Sequence, residues 1–163
     1  MGQLSFMDDF YTRYQITKPI ALIELFAGYG SQALSLEHLG VEHISHRICE
    51  WNAYSSIAYQ HLHSTDFTDY SKDLTKDEIV KFLHEKGVSL NWNAPATIKQ
   101  LNNKKDEFLR ETYNSIIATN NLVDVTKVHA NDLAMREREM VRGYDLLISL
   151  PRFKPRRKAW WYE

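Results

Sequence analysis

The chain has 163 residues, which favours a single folded domain, and 44% of them are hydrophobic, which excludes a wholly disordered chain. No apolar run is long enough to span a bilayer, and the one cysteine, Cys49, excludes an internal disulfide, so we expect a cytoplasmic protein. The net charge is −1, and residues 152–163 carry five Lys or Arg and one Glu, so the rest of the chain carries −5. A self-sufficient DNA-binding protein is expected to have a strongly basic surface, which this acidic body does not provide.

The N-terminal 18 residues are polar and aromatic, and we interpret them as a short lead-in that packs on a sheet. The spacing of Phe6, Phe10 and Tyr14 also fits one helical face. The apolar run at residues 20–26 then predicts a strand, and residues 31–39 predict a helix that ends at Gly40.

Gly28 and Gly30 form a Gly-x-Gly turn between that strand and helix. Neither residue has a Cβ atom, so the backbone can approach a ligand closely, and the first turn of the helix offers free N–H groups. The same pattern also occurs as plain strand-to-helix punctuation, so the turn by itself leaves both interpretations open.

A second strand is predicted at residues 44–50, and it ends on a carboxylate. Glu50 lies 20 positions after Gly30, the spacing at which a βαβ unit places an acid on ribose hydroxyls. Trp51 follows at once and offers a flat face for an adenine ring. Cys49, in this buried strand, is interpreted as a small core residue and not as a nucleophile.

A helix capped by Asn52 is predicted through His63. Its inward positions are predicted to be Tyr54, Ile57, Ala58 and either His61 or Leu62. His61 and His63 are two residues apart and point to different helix faces, so we interpret them as solvated or edge histidines and predict no metal site.

Residues from about 66 to 121 are predicted to form a helical insertion, because a plain crossover between parallel strands needs only one helix. Thr75 and Glu78 have the form of a capping box. A single longer helix is predicted from Thr97 to beyond Ile116. The insertion is interpreted as decoration on a sheet edge or, alternatively, as an arm that faces a partner or DNA.

The C-terminal third is predicted to contain a short buried strand at residues 122–125, a charged helical connector at 131–142 and a further strand at 144–150. Together these elements predict an α/β fold: a doubly wound, mostly parallel sheet of the Rossmann-like type, incomplete, in one domain. Within it we assign residues 19–151 to a cofactor-binding region.

Three motifs, in order, resemble those of the cytosine-5 DNA methyltransferases: Glu24-Leu-Phe-Ala-Gly-Tyr-Gly30, Cys49-Glu-Trp-Asn52 and Tyr144-Asp-Leu-Leu-Ile-Ser-Leu-Pro151. The chain is most similar to the N-terminal portion of the phage and prophage branch. The resemblance implies S-adenosylmethionine as the methyl donor, lying over Phe26, Gly28 and Gly30. It further implies that Glu50 holds the ribose, Trp51 and Pro151 flank the adenine, and Asp124 accepts from its amino group. Asp124 is equally consistent with an ordinary turn residue.

The chain departs from this family directly after Pro151, where members have the nucleophilic cysteine and this sequence has Arg152. A thiolate adds to cytosine C6, but a guanidinium stays protonated and cannot. We therefore predict no catalytic residue here and an inactive isolated chain, truncated before the family's later glutamate and target recognition region. The basic, aromatic tail at 152–163 is interpreted as an accidental sequence or, alternatively, as a nucleic-acid contact.

Two functions compete at this point. The chain is the S-adenosylmethionine-binding part of a DNA methyltransferase, either a remnant or one half of a split enzyme with a complementary subunit, and DNA binding is then weak or absent. Alternatively, it is a non-catalytic phage inhibitor or decoy whose acidic body occupies a host restriction or CRISPR nuclease.

Overall fold

A computed structural model of the chain describes residues 16–133 and 144–149. Most of the lead-in, most of the connector, Pro151 and the tail at 152–163, which begins with Arg152, lie outside the described residues. The strands are β1 (Ile20–Leu25), β2 (His43–Cys49) and β3 (Asp145–Ser149). The helices are α1 (Ser31–His38), α2 (Ala53–His63), α3 (Lys76–Lys86), α4 (Ile98–Asn102), α5 (Asp106–Ala118) and α6 (Ala130–Leu133), with a 3₁₀ turn at Val125–Lys127.

The described strands form one parallel sheet in the order β2-β1-β3, with β1 in the centre. The chain therefore crosses from β1 through α1 to β2 and later returns to the opposite side of β1, which is the reversal typical of Rossmann-like sheets. The first five residues of β1 are buried, as expected for a central parallel strand. The predicted α/β class is confirmed, as an incomplete Rossmann-like fold.

The helix α2 begins as predicted, because the Asn52 side-chain oxygen accepts from the N–H groups of Tyr54 and Ser55. The predicted inward face is wrong: Tyr54 and Leu62 are exposed. The buried positions are instead Ala53, Ser55, Ser56, Tyr59 and Gln60. On this face Ser56 donates its hydroxyl to the Glu50 carbonyl and Tyr59 donates its hydroxyl to the Glu24 carboxylate, which are polar contacts that apolar periodicity does not detect.

The insertion contains three helices, and its buried apolar residues form one cluster that also includes Ala53 and Val123. The capping box of Thr75 and Glu78 is confirmed. The single helix predicted from Thr97 is wrong, since α4 ends at Asn102 and α5 begins at Asp106. The Lys76 ammonium donates to the carbonyls of Asn102 and Lys104 and so satisfies acceptors at this break.

The strand predicted at residues 122–125 is also wrong. Only one parallel bridge forms, between Asn121 and Ile48, and Leu122 donates its N–H to the Ile48 carbonyl. Val123 then adopts φ 65°, in the left-handed region, which ends any pairing with β2. The strand expected at residues 144–150 is confirmed as β3 within its described part.

Within residues 16–133 and 144–149, no helix combines the length and the apolar character that crossing a bilayer requires.

Candidate functional site

A cavity of about 410 Å³ opens where β1 and β2 end. Its lining comes from three chain segments: the turn after β1, the end of β2 with the two residues that follow, and the segment around the 3₁₀ turn. A tryptophan from the insertion joins them. The lining residues are Phe26, Gly28, Cys49, Glu50, Trp51, Trp92, Val123, Asp124, Val125 and Thr126. The carboxyl ends of parallel strands are the usual place for ligand sites in such folds.

Five of the seven predicted site residues line this one cavity: Phe26, Gly28, Glu50, Trp51 and Asp124. They come from positions up to 98 residues apart in the chain, so their meeting is a result of the fold. Of the remaining two, Gly30 is not among the lining residues, and Pro151 lies outside the described residues.

The Glu50 carboxylate fixes the backbone on both sides of the cavity. One oxygen accepts from the Gly28 N–H at 2.8 Å and the other from the Asn52 N–H at 2.7 Å. Burial raises the pKa of Glu50 above its usual value of 4.5, and the N–H donors of Asn52, Gly28 and Trp51 oppose that shift. The acid therefore holds the glycine turn against the start of α2.

Asn121 holds Glu50 in place and was missed by the sequence reasoning. Its side-chain oxygen accepts from the N–H groups of Glu50 and Val123, and its NH₂ group donates to the Glu50 carbonyl and the Ser56 hydroxyl. All these bonds are 2.8–3.0 Å long and buried. An asparagine at the end of a helical segment gives no local signal for a role 71 residues away.

Asp124 caps the 3₁₀ turn, as expected of a turn residue, and it also lines the cavity. One oxygen accepts from the hydroxyl and the N–H of Thr126, and the other lies 3.4 Å from the Lys127 ammonium. The Thr126 hydroxyl, more than Lys127, lowers the pKa of Asp124. The carboxylate is therefore ionised at neutral pH and is an acceptor only.

Strained backbone is concentrated around the cavity. Four described residues other than glycine have positive φ, and three of them, Phe26, Trp92 and Val123, line it. Left-handed backbone costs a side-chain-bearing residue roughly 1–2 kcal/mol, and a β-branched residue such as Val123 rarely adopts it. Such strain is typical of ligand-binding segments that the surrounding structure holds in place.

Position 30 requires a glycine because side chains below the turn leave no room for a Cβ atom. A Cβ at this position would lie 2.3 Å from the Nε2 of His63 and 2.8 Å from the Tyr59 ring. Gly28, with φ 56° and open space around it, is the glycine that faces the cavity. Gly30 therefore allows close packing inside the protein, whereas Gly28 allows close approach from the cavity.

The histidines were interpreted as solvated or edge residues, and for His63 the solvated alternative is wrong, since its side chain is 3% exposed. Its Nε2 lies 2.9 Å from the Tyr29 carbonyl and its Nδ1 lies 3.1 Å from the Glu37 carboxylate. His61 is exposed and contacts Glu111. Within the described residues, no group of three or more His, Cys, Asp or Glu is placed to hold a metal ion.

Cys49 lies in the cavity wall, where its thiol donates to the Val123 carbonyl at 3.3 Å. Burial, with smaller effects of Asp124 and Glu50, raises the pKa of this thiol to about 12. It is therefore protonated at neutral pH, which agrees with the interpretation as a core residue and not a nucleophile.

Trp92 was not predicted to belong to the site. It lies in the loop between α3 and α4, it is 54% exposed, and it lines the cavity together with Trp51. Its position 41 residues after Trp51, within a polar loop, gave no reason to connect the two.

No family model matches the chain. The chain is 30% identical over 102 residues to "Orphan methyltransferase M.SssI" of Spiroplasma monobiae, an alignment that covers 61% of this chain and 26% of that protein. The chain thus spans about a quarter of the length of the curated relative it matches. The similarity supports a methyltransferase-like region in this chain.

Proposed function

We propose that this chain is the S-adenosylmethionine-binding part of a DNA cytosine-5 methyltransferase of the phage and prophage branch, and that it does not catalyse methyl transfer by itself. The observation that carries the proposal is the shared cavity: residues expected from separate motifs, Phe26, Gly28, Glu50, Trp51 and Asp124, line one space. The similarity to a methyltransferase over 61% of the chain supports the same conclusion.

The lining residues fit the chemistry of this ligand. The volume of about 410 Å³ lies within the usual range for small-molecule sites, roughly 300–1,000 Å³. A carboxylate has about four acceptor positions, so Glu50 can accept from a ribose hydroxyl besides the N–H groups of Gly28, Asn52 and Trp51. The ionised Asp124 accepts from an exocyclic amino group, and Trp51 offers an apolar face to the base.

S-adenosylmethionine supplies an activated methyl group when it is bound. In this chain Glu50 and Asp124 orient the nucleoside through hydrogen bonds, and Phe26 with Trp51 excludes water from it. The step that the proposal denies to the isolated chain is nucleophilic attack on cytosine, because Arg152 stands where the family has cysteine and Cys49 is held protonated. The whole function therefore requires a complementary subunit, or the chain is a remnant.

Calorimetric titration of the purified 163-residue chain with S-adenosylmethionine tests the cofactor role. We expect binding by the unaltered chain and an affinity at least about tenfold lower for Glu50→Ala, since hydrogen bonds to a charged group contribute about 1.5–3 kcal/mol. Glu85→Ala, which removes an exposed carboxylate on α3, is the matched control and should bind normally. A folded chain that binds no S-adenosylmethionine would overturn the proposal.

A DNA methylation assay tests the predicted lack of catalytic activity. The purified chain, supplied with S-adenosylmethionine and DNA, should produce no methylcytosine. Methylated DNA in that assay would contradict the predicted loss of activity while leaving the cofactor site intact.

A second candidate is the non-catalytic inhibitor of a host nuclease. A surface groove beside α2 and α5 is lined in part by four acidic side chains, which are Asp69, Asp106, Glu107 and Glu111. Their negative charge can imitate DNA phosphates, and this supports the second candidate. On this view Glu50→Ala leaves inhibition of a purified nuclease unchanged. Capture of a nuclease from host lysate supports the second candidate, and capture of a methyltransferase subunit supports the first.

A further inference from the structure

We infer that Trp92, carried by the insertion, is a binding residue of the cavity that encloses the purine base of the ligand opposite the walls supplied by β1 and β2. The inference rests on the proposed function for the identity of the ligand. It adds a residue that none of the three motifs contains, and it gives the insertion a role in binding the cofactor.

The loop that carries Trp92 is joined to the segment that carries Trp51. Ser89 donates its N–H to the Trp51 carbonyl at 2.7 Å, and its own carbonyl accepts from the Ala53 N–H at 3.0 Å. These two bonds flank Asn52, which shares a parallel bridge with Ser89. The loop therefore starts from a fixed point beside the cavity, and the position of Trp92 relative to Trp51 is set by the backbone.

The loop is also closed upon itself. The Ser89 hydroxyl accepts from the Trp92 N–H at 3.1 Å and donates to the Ala94 carbonyl at 2.8 Å. The Asn91 side chain accepts from the N–H of Asn93. A short loop with this many internal bonds presents its tip in one conformation, which lowers the entropy lost when a ligand is bound.

The conformation of Trp92 is unfavourable for its residue type. At φ 65° a glycine or asparagine would be less strained, and asparagines stand at both neighbouring positions, yet the bulky residue occupies the strained one. Its side chain is 54% exposed, so core packing does not explain the choice. A large apolar ring held over an apolar cavity by strained backbone is suited to covering a flat ligand.

The experiment compares the unaltered 163-residue chain with Trp92→Ala by titration with S-adenosylmethionine and with S-adenosylhomocysteine, which shares the adenosine but lacks the methyl group and the positive sulfonium. We expect Trp92→Ala to weaken both ligands by the same factor, between roughly fivefold and a hundredfold, as loss of one base–aromatic contact would. Trp92→Phe should restore most of the affinity. Phe67→Ala, which removes another exposed aromatic ring of the insertion that is not among the cavity residues, should change neither affinity.

A stability measurement separates a binding role from a structural one. Trp92→Asn places a residue that tolerates positive φ at this site, so its midpoint of urea unfolding should equal or exceed that of the unaltered chain while its affinity falls. A large loss of stability would instead mean that the ring is structural, and would overturn the inference.

The remaining outcomes are also distinct. If the unaltered chain binds and Trp92→Ala binds equally well, the inference fails and the proposed function stands. If only S-adenosylmethionine is weakened, the ring contacts the sulfonium and not the base, which overturns the inference as stated. If the unaltered folded chain binds neither ligand, the proposed function and the inference fail together.

Discussion

The insertion (residues 66–121) has one apolar cluster as its core, whereas the sheet region (residues 20–63) combines smaller apolar clusters with a buried polar network below its glycine turn. The insertion is held by buried apolar side chains from its helices, which are Ile79, Val80, Leu83, Leu101, Leu109 and Ile116. Below the glycine turn of the sheet region, buried carboxylates and hydroxyls pair instead: Tyr59 donates to Glu24 at 2.6 Å, and Gln32 donates its N–H to the same carboxylate.

The two regions should therefore respond differently to substitutions. An apolar cluster depends on the volume of its side chains, whereas a buried polar network depends on every donor finding its acceptor. The cavity lies between the two, since Trp51 packs against the apolar cluster of the insertion while Glu50 belongs to the polar network. A reduction in side-chain volume should therefore lower stability in the apolar clusters of both regions, whereas the loss of a charge or of a hydrogen-bonding partner should have its largest effect below the turn.

The largest effect is expected for Leu109→Ala in α5. Leu109 is fully buried, so the variant should lose about 2–5 kcal/mol of the free energy of unfolding through lost burial and a residual cavity. Urea denaturation measures this loss. Leu62→Ala, at an exposed leucine of α2, is the control and should change stability by less than about 0.5 kcal/mol. Equal effects would mean that the insertion is not held by its apolar cluster.

Gly30→Ala should lower the free energy of unfolding by about 2–4 kcal/mol, somewhat less than Leu109→Ala does. The new methyl group meets His63 and Tyr59, and the backbone at this position has φ 78°. Gly28→Ala has the same kind of backbone but open space, so it should cost only about 1 kcal/mol. Thermal unfolding of the pair compares them directly. A ranking in the opposite order would break the assignment of Gly30 to packing and Gly28 to the cavity.

The smallest effect is a pH dependence from Glu50. Its folded-state pKa is raised above 4.5, so the folded chain binds this proton more tightly than the unfolded chain does. The stability that Glu50 contributes is therefore fully present below pH 4.5 and is lost as the pH rises through the raised pKa. We expect the difference in unfolding free energy between the unaltered chain and Glu50→Gln to fall over this window.

Comparing the unaltered chain with Glu50→Gln isolates the pH dependence that Glu50 contributes. Carboxyls with lowered pKa affect stability in the opposite direction, but they are present in both proteins, so their contributions cancel in the difference. Asp124, for example, contributes stability that is lost as the pH falls through its lowered pKa. Affinity for S-adenosylmethionine should rise with pH over the Glu50 window, since the ionised acid is the stronger acceptor. A difference that stays constant with pH would contradict the burial of this carboxyl.

Much of the fold could be predicted because its signals are local. The Asn52 cap, the Thr75 capping box and the strand predicted at residues 44–50 each depend on a few consecutive residues. The structure confirms the two caps and gives the strand as His43–Cys49. Predictions failed where distant groups decided the result. The helix expected from Thr97 is interrupted beside a lysine of α3, and the strand expected at residues 122–125 stops where Asn121 bonds to Glu50.

The sequence by itself determined β1, the glycine turn, α1, β2 and the caps of α2 and α3, because caps, turns and apolar runs act over a few positions of the chain. It also singled out Gly28, Glu50 and Trp51 by their spacing, while Phe26 and Asp124 came from the resemblance to the cytosine-5 DNA methyltransferases. Only the tertiary structure decided that Trp92 and Asn121 belong to the same site and that Gly30 does not line it. Those placements depend on contacts between segments 30 to 70 residues apart, such as Ser89 with Trp51 and Asn121 with Glu50, which no local pattern encodes.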